Sequence, residues 1–103
     1  MRADQQTLEV HMPETTVSFE VLPLCDDPIP IVHKAIEVVQ RSGVKYLVCP
    51  HETVMEGDLD HLLEIVKAGH RACFEAGAKR VVTIVKLVEG EGSRIDALID
   101  GYR

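Results

Sequence analysis

Residues Val44–Asp58 read VKYLVCPHETVMEGD, and this stretch decides the fold. Residues 44 to 49 are rich in valine, leucine and tyrosine and too short for a stable helix, so they predict a strand. Pro50 has no N–H to donate and ends that strand, and a turn then leads to a second short strand at Thr53–Glu56. Asp58 is a good N-cap residue for a helix, because apolar residues at helical spacing follow it.

The flanking segments add two more strands and one more long helix. Val17–Leu24 alternates apolar with polar residues and predicts a strand, and Ile31–Ser42 carries an apolar stripe typical of a helix. Asp58–Ala76 predicts the second long helix, and Arg80–Val88 predicts a β-branched strand. The order β-α-β-β-α-β predicts an α+β fold, a ferredoxin-like sandwich with a four-stranded antiparallel sheet.

The first and third strands are expected to form the central pair of this sheet and to run parallel. In that arrangement Leu22–Leu24 and Met55–Gly57 end side by side. Both long helices then begin at the same end of the sheet, so a pocket there would face two partly positive helix N-termini.

The domain organisation is expected to be simple, because 103 residues suffice for one domain with one core. Residues 1–16 are polar without a clear period and are expected to be a flexible N-terminal extension. Residues 17–103 form the predicted domain. Within it, Ser93 and Asp96 match a capping box, which predicts a short C-terminal helix.

Composition excludes several classes of function. The net charge of −6 argues against a nucleic-acid partner or an anionic membrane surface, since both need a basic patch. No apolar run approaches the roughly 20 residues of a membrane span. Residues 1–16 lack the apolar core of a signal peptide, and the odd number of widely spaced cysteines argues against a disulfide framework. We therefore expect a cytoplasmic protein.

The second face of the predicted sheet carries more apolar side chains than a solvated face would. They are Leu22, Leu24, Leu47, Cys49 and Met55. A homodimer or homotetramer is the natural way to bury this surface.

Thr53 and Glu56 are the most informative polar residues. In one interpretation Thr53 is simply a good strand former and Glu56 precedes a turn. In the other, a hydroxyl and a carboxylate at the corner between strand and helix bind a small polar ring. A carboxylate suits an aminopyrimidine, whose ring nitrogen and exocyclic amine form a two-point pattern. The histidines and cysteines show no metal-ligand spacing, so no metal site is expected.

Four segments of the chain, taken together, resemble a known protein family. The segments VSFEVLPL at 17–24, GVKYLVCPHETVMEG at 43–57, VKAGH at 66–70 and KRVVT at 79–83 resemble the small YkoF-like thiamine-binding proteins. The resemblance runs from about Thr16 to Arg103. It implies a ferredoxin-like fold, dimers or tetramers, and binding of thiamine or its hydroxymethylpyrimidine part without chemistry, and thus no cofactor. Leu22 stands where several relatives have an aromatic residue.

The expected pocket lies at the ends of the central strands, with three apolar walls and two polar contacts. Its predicted ligand-binding residues are Leu22, Leu24, Met55, Thr53 and Glu56, with His33 nearby on the first helix. Glu56→Gln would then weaken binding on the order of tenfold to a hundredfold. Two alternatives stay open. One is a ferredoxin-like enzyme, such as an isomerase or cofactor-free monooxygenase, and the other is a regulatory module whose free sheet face binds a protein.

Overall fold

A four-stranded antiparallel sheet and three helices make up residues 14–102, the part of the chain that the computed structural model describes. The α+β, ferredoxin-like order is confirmed. The elements are β1 (Thr15–Pro23), α1 (Ile29–Arg41), β2 (Lys45–Val48), β3 (Thr53–Glu56), α2 (Leu59–Glu75), β4 (Val81–Glu89) and α3 (Ile95–Ile99). Residues 1–13 of the predicted extension lie outside the described residues, whereas Thr15 and Thr16 already belong to β1.

The sheet has the strand order β2-β3-β1-β4, and every neighbouring pair is antiparallel. The expectation that β1 and β3 run parallel is therefore wrong. The crossover through α1 makes β1 and β2 parallel, and the tight turn after β2 reverses β3, which lies between them. Thr16 lies opposite Glu56 and Phe19 opposite Thr53, so the two central strands end at opposite ends of the sheet. The helices that follow them, α1 and α2, consequently begin at opposite ends as well.

The core lies between one face of the sheet and the two long helices. Val17, Phe19 and Val21 are buried on this face, as their alternation predicts. Met55 is also fully buried there, because it lies opposite Val17, and its expected place on the second face is wrong. Gly69 of α2 lets the helix approach closely, since a Cβ at that position would lie 3.1 Å from Phe19 Cε2.

The helix ends show which local predictions hold. Asp58 caps α2 as predicted, with its carboxylate accepting the His61 N–H at 3.1 Å. Gly43 follows α1 with a φ of 84°, the left-handed conformation expected after a helix. The predicted capping box of α3 is absent, since Arg94 occupies the N-cap position without a side-chain bond.

Remote carboxylates take over the capping of α3. Glu14 Oε2 accepts the N–H groups of Gly92 at 2.6 Å and Ser93 at 3.1 Å, and Glu56 Oε1 accepts the Ile95 N–H at 2.9 Å. These bonds tie the C-terminal helix to the start of β1 and the end of β3. Because the partners are distant in sequence, no local pattern could reveal them.

The second sheet face, here called the open face, remains strongly apolar where α3 does not cover it. Leu22, Val82, Ile84 and Val88 are all exposed on it, Ile84 to 47%. Lys86 lies among them, paired with Glu52. Within residues 14–102, no helix is both long and apolar enough to span a membrane.

Candidate functional site

A cavity of about 480 Å³ lies at the end of the sheet where β1 finishes and β3 begins. One wall is the second half of β1, the second is the first turns of α1, and the third is the turn between β2 and β3. The lining is mostly apolar and consists of Phe19, Glu20, Val21, Leu22, Pro23, Leu24, Pro28, Ile29, Val32, Ala35, Ile36, Cys49, Pro50, His51, Glu52 and Thr53. Its volume is within the range of small-molecule sites, about 300–1,000 Å³.

The cavity exists because two neighbouring strands differ in length. β1 has 9 residues, whereas β3 has 4. β1 pairs with β4 as far as Pro23↔Val81, but its pairing with β3 stops at Phe19↔Thr53. The β1 segment Glu20–Pro23 therefore has a free edge on the side that β3 would otherwise occupy.

This free edge presents backbone hydrogen-bonding groups to the cavity. Thr15 C=O accepts the Gly57 N–H on the β3 side, and the Leu24 N–H donates to Arg80 on the β4 side. Because backbone groups alternate along an antiparallel strand, the N–H and C=O of Val21 point to the β3 side. No backbone hydrogen bond joins Val21 to a described residue on that side. A donor and an acceptor thus face the cavity without a strand partner.

The turn between β2 and β3 closes the opposite wall. The Cys49 N–H donates to Glu52 C=O at 2.8 Å and fixes the turn, with Pro50 and His51 at its exposed tip. Thr53, the first residue of β3, is only 5% exposed and lines the cavity beside Phe19. Its hydroxyl is the buried side-chain polar group of the lining.

Glu52 is held on the open-face side of the cavity. Its carboxylate lies 3.0 Å from the Lys86 ammonium. The hydrogen bond from Lys86, and then that from Ser18, lower the pKa of Glu52 from its ordinary value. Glu52 is therefore ionised at neutral pH, and Lys86 is already paired with it.

The predicted site residues divide between this cavity and the rest of the molecule. Leu22, Leu24 and Thr53 line it. His33 is exposed on α1 outside the lining, and Met55 is buried in the core. Glu56 is at the other end of β3. The antiparallel pairing is the reason, since it places the end of β1 next to the beginning of β3 rather than its end.

Sequence reasoning missed the free edge at Val21 and the wall that α1 contributes through Ile29 and Val32. One signal was present in the sequence. The predicted strand Val17–Leu24 is much longer than Thr53–Glu56, so a part of it had to lack a partner if the two strands pair. The wall from α1 depends on tertiary packing and has no comparable signal.

Glu56 instead lines a second, smaller cavity of about 280 Å³ between β3, the start of α2 and the segment before α3. Its lining also includes Glu14, Asp58, Glu89 and Arg94. Glu14 pairs with Arg94 at 3.1 Å, Thr15 donates to Glu89 at 2.9 Å, and Glu56 caps Ile95. Glu14 and Glu56 thus hold the α3 region in place. Residues 14–102 contain no cluster arranged to bind a metal.

Comparison with known proteins places the chain in a family. Residues 17–99 match the family model described as thiamine-binding protein. The chain belongs to this thiamine-binding protein family. A UPF0045 protein of Clostridium perfringens is 42% identical over 95 residues, which cover 89% of this chain and 100% of the relative. A UPF0045 protein of Methanothermobacter thermautotrophicus is 37% identical over 76 residues, covering 70% and 77% of the two chains.

Solved structures share the fold. A domain of unknown function from Bacillus cereus superposes with a TM-score of 0.81 at 43% identity, covering 89% of this chain and 92% of that one. A Thermotoga maritima protein, named for a proposed role in thiamine biosynthesis or salvage, gives a TM-score of 0.79 at 32% identity and covers 88% and 100%. The family-level resemblance inferred from the residues is thus confirmed.

Proposed function

We propose that this protein binds thiamine, or its hydroxymethylpyrimidine part, in the cavity beside β1 and releases it chemically unchanged. Membership of the thiamine-binding protein family supports the ligand class. The observation that carries the proposal is the free edge of β1, which faces a mostly apolar cavity of about 480 Å³. A flat ring with polar groups at its rim fits such a site, because it buries its faces and keeps its edge hydrogen-bonded.

The edge of the pyrimidine ring would form main-chain hydrogen bonds with β1, as a strand added to the sheet would. An aminopyrimidine presents an exocyclic N–H donor next to a ring-nitrogen acceptor. Val21 offers the complementary pair, a backbone C=O and a backbone N–H. Extended ligands add to free strand edges through the same main-chain bonds. Leu22, Ile29 and Val32 supply apolar surface for the ring, and the Thr53 hydroxyl supplies one further polar contact.

The lining favours binding over catalysis. Among its residues the structure shows no hydrogen-bonded pair of nucleophile and base, which acyl or glycosyl transfer by a covalent intermediate would need. Glu52 is engaged by Lys86 and Ser18. Cys49 donates weakly to the Leu47 carbonyl at 4.0 Å, and no side chain within residues 14–102 is hydrogen-bonded to its thiol as a base. These features support a carrier or sensor of the ligand rather than an enzyme.

We further propose that the protein works as a homodimer or homotetramer in the cytoplasm. The apolar open face, with Leu22, Val82, Ile84 and Val88 exposed, supports burial against a second copy of the chain. Leu22 also lines the cavity, so an interface on this face would lie next to the ligand.

A thermal-shift screen with thiamine and hydroxymethylpyrimidine tests the ligand class. Binding to the folded state alone stabilises it by about 2.7 kcal/mol at a hundredfold excess over Kd. We expect a concentration-dependent rise in Tm with both compounds. Adenine tests the contribution of the edge alone, because it has an aminopyrimidine edge but no hydroxymethyl group or thiazolium, and we expect a smaller rise in Tm with it. A Tm that stays constant with both pyrimidine compounds would overturn the proposal.

A further inference from the structure

The electrostatic character of the cavity bears on which chemical form of the ligand it accepts. The sixteen lining residues include the acidic Glu20 and Glu52 and one histidine, His51, but no lysine or arginine. Glu20 lies on the open face of the sheet. The Glu52 carboxylate lies on the same face, where it contacts Ser18 and Lys86. Two carboxylates therefore lie on one side of the cavity, in a chain whose net charge is already −6.

Lys86, the cation that pairs with a lining carboxylate, is not available to a ligand anion. Lys86 contacts both carboxylate oxygens of Glu52, at 3.0 Å and 3.3 Å. A phosphate could recruit this ammonium only by displacing Glu52, which would leave that carboxylate without its partner. The exchange gains one ion pair and loses another, so it offers little net attraction.

The N-terminus of α1, which forms part of the wall, is poorly suited to bind an anion. Helix N-termini bind phosphates through free backbone N–H groups. Here Pro28 occupies the N-cap position and Pro30 lies in the first turn, so neither supplies an N–H. The exposed Asp26 and Asp27 precede the helix and add negative charge on the same side.

We infer that this site, if it binds the ligand proposed above, selects the unphosphorylated form and discriminates against its phosphate esters. Thiamine carries a positive thiazolium, and hydroxymethylpyrimidine is close to neutral. A phosphate ester adds about −1.5 to −2 charges at neutral pH, next to carboxylates and in a lining without lysine or arginine. The inference rests on the proposed function, and it adds a rule for which form of the ligand is bound.

Calorimetric titration of the full chain with thiamine, thiamine monophosphate and thiamine diphosphate tests this inference. At constant low ionic strength we expect the monophosphate to bind at least about tenfold more weakly than thiamine and the diphosphate more weakly still. The difference should shrink as salt is added, because added ions screen the repulsion. A monophosphate that binds as tightly as thiamine overturns the inference and leaves the proposed function standing. Hydroxymethylpyrimidine is titrated beside them, and if none of the four compounds binds, the proposed function falls and the inference falls with it.

Charge-neutral variants locate the source of the discrimination. In Glu20→Gln and Glu52→Gln the preference for thiamine over the monophosphate should fall several-fold, and most in Glu52→Gln, which also frees Lys86. Glu91→Gln is the matched control, since it removes one negative charge from the exposed loop at the opposite end of β4. An equal loss of preference in all three variants would assign the effect to net charge and contradict a role for the cavity carboxylates.

Discussion

Thr53 lies opposite Phe19 in the register of β3 and β1, and no further pair joins these strands beyond it. β1 continues to Pro23, so this single point sets where the sheet ends and the cavity begins. The Val21 backbone groups that face the β3 side therefore have no backbone partner among residues 14–102. The same register places Glu56 at the opposite end of β3, where its carboxylate accepts the Ile95 N–H.

The free edge predicts that binding depends on the pyrimidine rim. Oxythiamine carries an oxo group in place of the amine and a hydrogen on the adjacent ring nitrogen, so the donor and the acceptor of the pattern that Val21 would meet are both reversed. We expect it to bind about tenfold to a hundredfold more weakly than thiamine, because a buried backbone group is left unpaired. Pyrithiamine keeps the aminopyrimidine and is the control, with an affinity near that of thiamine. Competition calorimetry measures both, and equal affinities for all three compounds would exclude recognition by the β1 edge.

Glu56→Gln is now expected to leave ligand affinity within about twofold of the wild type, because Glu56 lies outside the cavity. Its carboxylate accepts the Ile95 N–H. A glutamine oxygen can still accept this bond but without the charge, so the variant should lose about 1 kcal/mol of stability, the usual difference between a charged and a neutral hydrogen bond. Calorimetry and urea denaturation separate the two effects. A tenfold loss of affinity at unchanged stability would return Glu56 to the binding site.

The open face predicts a defined oligomer. Ile84 is 47% exposed among other apolar side chains of the open face. Ile84→Glu places a charge there, so self-association should weaken strongly. Multi-angle light scattering should show the wild type above the monomer mass of 11.4 kDa and the variant at that mass. His33→Glu on the exposed side of α1 is the control and should keep the wild-type assembly. A wild type that is already monomeric at micromolar concentration would refute the expectation.

Glu52 predicts a pH-dependent contribution to stability. Its pKa is lowered in the folded state, first by the hydrogen bond from Lys86, so the contribution is present above the ordinary carboxyl pKa of 4.5 and is lost as pH falls through the lower folded value. The stability difference between the wild type and Lys86→Met should therefore be larger near pH 6 than near pH 3, as urea denaturation can show. Lys79→Met, at an exposed lysine after α2, should show no such change. A stability difference between wild type and Lys86→Met that is constant with pH would mean that the Glu52–Lys86 ion pair does not stabilise the folded state.

Much of the fold could be predicted from local patterns. Thr53–Glu56 matches β3 residue for residue, and Asp58 caps α2 because the cap and the apolar stripe after it are encoded within a few positions. The direction of β1 relative to β3 could not be obtained this way, because it depends on which strands pair across the sheet. That one error placed Met55 and Glu56 in the pocket with Leu22 and Leu24. The capping of α3 by Glu14 and Glu56 was likewise hidden, since the partners lie far apart in the chain.

Thiamine titrated calorimetrically into the wild type, Val32→Phe and His33→Ala tests the central claim most directly. Val32 lines the cavity from α1, and its neighbour His33 is exposed outside the lining, so the two substitutions compare adjacent positions of one helix. A phenylalanine at position 32 would fill part of the cavity. Thermal denaturation of the Val32→Phe variant should confirm that the chain still folds. We expect the wild type and His33→Ala to bind thiamine alike and Val32→Phe to bind at least about tenfold more weakly. Equal affinity in all three proteins would contradict binding in this cavity.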